Sequence, residues 1–319
     1  MKLTRKNLVA QLITFVTLGL FAWYALANLE TFEGLKNVSL FALLIIALAR
    51  LAVFINNGYF IKWTTEAFTK QLTTGESLYI GMLSAIGNFF GPILGGVGVR
   101  AVYLKKVYGL PLSKFTSTLL SYYIILFSSV CLAAILSLLA LGQTQSVLML
   151  FFVAWLGVML VVVFGRLPNE AKIKGLFKKG LANRLVNFLY EIEKGWQLLI
   201  KNHRLTRRLI MLAILSFITQ LFITFVEFRA INTELSLAAL SLYTALVVVS
   251  LLISFTPGAI GIREAILILA GSIIGITNEQ ILQVAVIDRG VTFGLLFVLF
   301  LLTRSKKVKK ALTPDELPL

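Results

Sequence analysis

Runs of about twenty apolar residues recur along the whole chain, separated by short polar turns and one long basic segment. Segments 8–27, 38–55, 115–141, 147–165, 209–228 and 281–302 each have the length and composition to cross a hydrocarbon layer. Two further apolar stretches are interrupted. The first runs from 78, stops at Gly91-Pro92 and resumes to 107; the second runs from 236, stops at Pro257-Gly258 and resumes to 276. Proline lacks the N–H that a helix needs and glycine is conformationally loose, so each pair ends a helix. At membrane depth such a break is tolerated only where protein or a water-lined cavity covers the freed backbone groups. The pattern predicts an all-α polytopic membrane protein forming one integral membrane domain, 1–319.

The polar intervals set an orientation. Lys2, Arg5 and Lys6 open the chain, and residues 166–208 hold eleven Lys/Arg against Glu170, Glu191 and Glu193. The tail, 304–319, begins with another basic cluster. Cytoplasmic loops carry such an excess. With both termini and 166–208 inside, parity puts 56–75 and 105–114 inside, and 229–235 and 278–279 outside. Stretch 78–107 then enters and leaves by the inner face, and 236–276 by the outer face. The first half, 1–165, and the second, 209–303, become an inverted repeat with two oppositely oriented broken re-entrant hairpins, the arrangement of internally repeated transporters. Within 166–208, Leu185, Phe188, Leu189, Ile192 and Trp196 recur at helical spacing, which predicts an amphipathic helix on the inner membrane surface. Ala25-Leu26-Ala27 has the form of a signal-peptidase site, but the preceding apolar run exceeds the usual ~7–15 residues.

Composition agrees with a membrane class: 58% of residues are hydrophobic and 14% charged, against about 25% charged in soluble domains. The net charge of +16 raises the possibility of nucleic acid. The placement of the charges in inward-facing loops, opposite anionic lipid, removes the need for it. Cys131 is the single cysteine and His203 the single histidine, so neither an internal disulfide nor a Cys/His metal site is expected, and no cofactor is implied. Cys131 reads as buried filler and His203 as a solvated residue.

The breaks carry the candidate chemistry. Gly91, Pro92, Gly95, Gly96 and Gly98 interrupt the first stretch, and Pro257, Gly258 and Gly261 the second. Gly98-Val99-Arg100 and Gly261-Ile262-Arg263 repeat a Gly-x-Arg pattern just beyond each break. A half-helix starting there points unpaired N–H groups and a positive dipole end inward, and an arginine beside it suits phosphate. The alternative is that Arg100 and Arg263 pair with carboxylates and hold the bundle together. Arg50, Glu264, Asp288 and Arg289 are the other intramembrane charges. Asp288 and Arg289 are adjacent and point apart on a helix, so Arg263 with Asp288 and Glu264 with Arg289 are the expected bridges, forming a gate that an incoming phosphate would open. Arg50 and Arg289 join the candidate substrate contacts. Asn88 is placed to satisfy freed backbone groups or to touch ligand. Glu227 and Arg229 read as interfacial, and Tyr103 as packing or an interfacial anchor. The glycines of 95–98 lack the strand–helix context of a nucleotide loop.

At these residues the chain resembles a known family. Phe89–Lys106, with its GP-x-x-GG-x-G-x-R-A-x-x-L-KK pattern, and Ser254–Gly275, containing TPGAIGIREAILILAGSIIG, are similar to two signatures of the lysylphosphatidylglycerol synthetase transmembrane region. In two-part members that region is a lipid flippase, and a separate soluble domain charges phosphatidylglycerol with lysine. The chain leaves no room for that domain, so the resemblance implies a stand-alone flippase-like protein of the bacterial inner membrane. It would move a phosphate-bearing headgroup (phospholipid, aminoacylated phosphatidylglycerol or polyprenyl-linked lipid) between leaflets. The partners implied are anionic or phosphate-bearing membrane lipids, with a homo-oligomer and a separate lipid-synthesising enzyme left open. A small-solute secondary transporter and a membrane-embedded lipid-modifying enzyme are the alternatives. The latter finds only Glu264 and Asp288 as a base or nucleophile, so no enzyme activity is expected.

Overall fold

A computed structural model describes residues 35–67, 72–90, 95–164, 199–250 and 261–304, with isolated positions between 187 and 197 and at 259. Every extended element among them is a helix: α1 (Leu40–Glu66), α2 (Thr74–Phe90), α3 (Gly95–Tyr108), α4 (Leu112–Ala140), α5 (Val147–Phe164), α6 (His203–Ala230), α7 (Leu237–Ser250), α8 (Ile262–Ile274) and α9 (Asn278–Arg304). Four, α1, α4, α6 and α9, contain stretches long and apolar enough to cross a membrane. The 13 residues of α8, bounded by Gly261 and Gly275, reach only about 20 Å at 1.5 Å per residue, short of a ~30 Å hydrocarbon core.

The helix ends follow local chemistry. Ser39 and Asn202 accept from the N–H groups of Ala42 and Leu205, at 3.1 and 3.0 Å, capping α1 and α6. The Thr73 hydroxyl accepts from the N–H of Glu76 at the start of α2, and Gly275 closes α8 in the left-handed region at φ 80°. These side chains and backbone turns take up terminal groups that a helix leaves unpaired.

α1 runs well past the expected 38–55, through Asn56, Asn57 and Gly58 to Glu66. Hydropathy falls there because the polar groups face protein rather than lipid. Asn56 donates to the carbonyl of Leu212, at 3.0 Å, and to the Ser216 hydroxyl of α6. The pairings also fix direction. Arg50 meets Gln220 and Glu227, Asn56 meets Leu212, and Glu66 meets Arg208. Numbers rise on α1 as they fall on α6, so the two helices are antiparallel and their C-terminal ends lie at opposite ends of the bundle.

Small residues bring helices close. A Cβ on Gly81 of α2 would stand 3.1 Å from the backbone N of Gly58 on α1. One on Gly96 would fall 1.9 Å from the Ser84 carbonyl, and one on Gly95 2.4 Å from that of Gly87. Gly96 and Gly98 are not breaks: they lie inside α3, of which Gly95 is the first described residue, and Gly95 and Gly96 serve close backbone packing against α2. Gly261, at φ 83°, does mark a helix start. Gly91, Pro92, Pro257 and Gly258 lie outside the described residues. So do residues 1–34, all of 165–186 and the tail beyond 304.

Both ends of each short pair are tied together. Glu76, at the start of α2, accepts from the hydroxyls of Tyr103 (2.6 Å) and Tyr108 (2.5 Å) at the end of α3. Gln280, just after α8, donates to Thr233, just before α7, at 3.0 Å. The core centres on α7, whose residues from Ala239 to Ser250 are buried apart from Ser241. It is apolar all round and packs against α4, α6 and α8, as a fully enclosed helix requires. The basic segment also contributes: Tyr190 and Leu199 are buried and Trp196 packs on the core, so part of its apolar face rests on the protein instead of lipid. Leu185, Phe188, Leu189 and Ile192 lie outside the described residues.

Candidate functional site

Six ionisable side chains from four helices meet in one buried network. Arg50 comes from α1, Glu227 from α6, Arg263 and Glu264 from α8, and Asp288 and Arg289 from α9. Asp288 accepts from Arg50 on Oδ1 and from Arg263 on Oδ2, the latter at 2.5 Å. Glu264 Oε1 accepts from Arg289 at 2.9 Å and stands 3.5 Å from Arg263 Nε. Arg50 also donates to Gln220 at 2.9 Å and lies 3.7 Å from Glu227. Three guanidiniums thus face three carboxyl groups, and the acids offset the buried positive charge. In a low-dielectric interior an unmatched member would be costly, and matching makes the cluster tenable.

The local sequence explains the placement. On α8 the buried positions are Arg263, Glu264, Leu267, Ala270, Gly271 and Ile274, one stripe at helical spacing, while Leu269 is turned outward. Arg263 and Glu264 open that stripe. Glu264 Oε2 reaches back to accept from the N–H of Gly261 at 2.7 Å. The start of α8 is therefore capped by its own carboxylate, and the expected anion-binding helix end is already occupied. Both expected bridges, Arg263 with Asp288 and Glu264 with Arg289, are present; the partners of Arg50 were not foreseen. Glu227, read as interfacial, is 2% exposed and sits in the network because α6 continues past it to Ala230. Arg229 stays at the surface, paired with Glu234.

Arg100 stands apart. It lies in the second turn of α3 rather than the first, and is 5% exposed. Among the described residues no carboxylate comes within ion-pair distance of it. Its contacts include a long Nε bond to the Gly96 carbonyl, 3.4 Å, the Phe60 ring, 6.0 Å from the guanidinium carbon, and the Tyr123 hydroxyl beside it. It borders a cavity of about 200 Å³. The polar wall is made of Asn57, Ser84, Asn88, Tyr122, Tyr123, Ser216 and Gln220. Asn88 also accepts from the N–H of Gly96 at 2.9 Å, holding the start of α3 against α2. Gln220 belongs to both places, lining the cavity while accepting from Arg50.

The candidate residues thus divide. Arg50, Arg263, Arg289, Glu264 and Asp288 belong, with Glu227, to the charge network; Arg100 and Asn88 face the cavity. Sequence reasoning missed Asn57, Ser216 and Gln220, polar positions inside apolar runs, and Glu76. Thr73 followed three residues later by Glu76 is the signature of a helix start and could have revealed the last. Among the described residues no group of acids, His and Cys could hold a metal. His203 is exposed at the start of α6 and Cys131 is buried. Tyr103 is tied to Glu76.

A bundle of membrane-length helices with a matched charge network at its heart defines a multi-pass integral membrane protein. The chain belongs to the lysylphosphatidylglycerol synthase TM region family, whose model matches residues 8–299. Comparison with curated proteins gave no match.

Proposed function

We propose that this protein carries a phosphate-bearing lipid headgroup between leaflets, with Arg100 as the group that meets the phosphate. The observation that carries the reading is a buried guanidinium, facing a polar-walled cavity, with no acid beside it. Arginine stays protonated in proteins, and a buried unpaired cation is costly. A phosphate oxygen pair matches its planar fork and removes that cost. A cavity of about 200 Å³ is smaller than the ~300–1,000 Å³ of drug-sized pockets. It suits the phosphate end of a lipid whose tails remain in the bilayer.

The architecture supports a carrier. α8 is too short to span, the pairs α2–α3 and α7–α8 are each tied at their open ends, and they follow the C-terminal ends of two antiparallel helices. They therefore read as broken re-entrant hairpins dipping from opposite faces, related as the halves of an inverted repeat. The N- and C-termini then face the cytoplasm of a bacterial inner membrane, and an inside-negative potential drives an anionic headgroup outward by ~2.3 kcal/mol per charge per 100 mV. Arg50, Arg263 and Arg289 serve the gate rather than the ligand. On this reading the protein is a transporter, not an enzyme, and its partners are anionic lipids.

The test is leaflet exchange in vesicles holding the purified protein and fluorescent phospholipids. Exchange by the wild type that falls at least about tenfold in Arg100→Gln, with the fold retained, supports the reading. Failure of the wild type to exchange anionic, zwitterionic or aminoacylated lipid overturns it. Uptake of a soluble solute without lipid movement would select a solute carrier instead.

A further inference from the structure

We infer that the Arg100 cavity selects its lipid by headgroup charge, accepting a monoanionic phosphodiester and rejecting one that bears an ammonium group. The inference rests on the proposed lipid carriage for the origin of the ligand, but its charge accounting comes from the cavity itself.

The cavity is lined from α1, α2, α3, α4, α6 and α7. Those six helices carry three acids in all, and each is engaged elsewhere. Glu66 pairs with Lys62 and Arg208, Glu76 takes the two tyrosine hydroxyls, and Glu227 lies in the network beside Arg50. The connections 91–94 and 251–258, which lead into α3 and from α7, contain no charged residue. In the network next door Asp288 and Glu264 accept from Arg50, Arg263 and Arg289, so those acids and bases are engaged with one another. Among the described lining residues the wall therefore presents one positive charge, from Arg100, with neutral amides and hydroxyls as its other polar groups.

Each class of headgroup meets that wall differently. A phosphodiester with one negative charge leaves the occupied cavity neutral. A phosphomonoester or diphosphate brings surplus negative charge with no second cation to meet it. A zwitterionic headgroup neutralises Arg100 but must place an ammonium where no carboxylate is available. An aminoacylated headgroup brings an ammonium as well, and a lysyl ester brings two. One aromatic face of the wall, Phe60, is already turned to Arg100. Buried like charges and unmatched charges are both strongly disfavoured in such a setting.

The experiment is competitive retention of lipids by the purified full-length protein, read by native mass spectrometry. Phosphatidylglycerol, its lysyl ester, phosphatidylethanolamine and phosphatidic acid with identical tails are offered together, and sodium phosphate is offered separately. The expected result is retention of phosphatidylglycerol about tenfold or more above each of the others, which corresponds to 1.4 kcal/mol. Arg100→Lys should keep the order with weaker retention. Asn57→Asp, an isosteric change that adds an acid to the wall, should move the preference toward the lysyl ester. Equal retention of phosphatidylglycerol and its lysyl ester, with both lost in Arg100→Gln, overturns the charge selection and leaves the lipid site standing. Retention unaffected by Arg100→Gln overturns the site itself. Binding of inorganic phosphate without any lipid assigns the cavity to the free anion and overturns the lipid origin.

Discussion

Asp288 and Arg263, 25 residues apart in the chain, are joined by an N–H···O bond of 2.5 Å that ties α9 to the first turn of α8. The other oxygen of Asp288 accepts from Arg50. One carboxylate thus holds guanidiniums from two different helices.

Asp288→Ala should be severely destabilising for that reason. It leaves Arg50 and Arg263 to share Glu227 and Glu264, one of which already serves Arg289. Removing one partner of a buried ion pair costs about 3–5 kcal/mol. Thermal unfolding in detergent should show a large fall in melting temperature. A mild effect, like that of a surface charge change, would contradict the matched network.

The Glu264–Arg289 pair should not survive a simple exchange of charges. Glu264 both accepts from Arg289 and caps the N–H of Gly261. The reversed pair, Glu264→Arg with Arg289→Glu, restores the attraction but places a cation on the positive end of α8, where it is unfavourable by about 0.3–1 kcal/mol, and loses the cap. The double variant should recover only part of the stability lost by Glu264→Arg alone, measured as a thermodynamic cycle. Full recovery would show the cap to be dispensable.

Glycines two positions apart should behave oppositely. Gly96→Ala puts a methyl group 1.9 Å from the Ser84 carbonyl and 2.6 Å from Asn88 Oδ1, so α3 must move off α2 at a cost of about 1–3 kcal/mol or more. Gly98→Ala meets nothing within 4 Å and gains helix propensity, about 0.5–1 kcal/mol. Melting temperatures should fall for the first and hold or rise for the second. Equal losses would indicate that both positions matter only as flexible points.

The contrast also explains what the sequence made legible. Apolar runs revealed the spans, because lipid imposes length and polarity directly. The two bridges of α8 with α9 could be proposed since unpaired intramembrane acids and bases are few. The continuation of α1 to Glu66 was hidden by Asn56, Asn57 and Lys62, whose polarity is explained only by the helices beside them. Gly96 imitated a break, because close packing and chain reversal both demand a missing Cβ. Glu227 looked interfacial because hydropathy places a helix end less precisely than its cap does. Gln220 gave no signal alone; its meaning comes from Arg50 on one side and the cavity on the other.

The clamp at the open end of the first hairpin should be measurable by removing its donors. Tyr103→Phe and Tyr108→Phe each delete one hydroxyl that donates to Glu76, a residue with no exposed surface. A bond to a charged group contributes about 1.5–3 kcal/mol. The double variant should lose more than the sum of the singles if either hydroxyl can partly satisfy the carboxylate without the other. Additive losses would mean that the two bonds act independently.

The orientation of the two short pairs can be tested with single cysteines in a Cys131→Ala background, since Cys131 is buried and the only thiol to remove. If α2–α3 is re-entrant, Thr73→Cys before α2 and Lys106→Cys near the end of α3 react with an impermeant maleimide from the same face. Glu234→Cys before α7 and Glu279→Cys after α8 should then react together from the opposite face. The opposition follows from the antiparallel course of α1 and α6, which delivers the chain to the two ends of the bundle before each pair begins. Labelling of Thr73→Cys and Lys106→Cys from different faces would make α2–α3 a full crossing and remove the hairpin. Labelling of all four from one face would preserve both hairpins but abolish the inverted relation between them. Only the first pattern lets the turns of the two pairs approach from opposite leaflets, which a headgroup site shared between the halves requires.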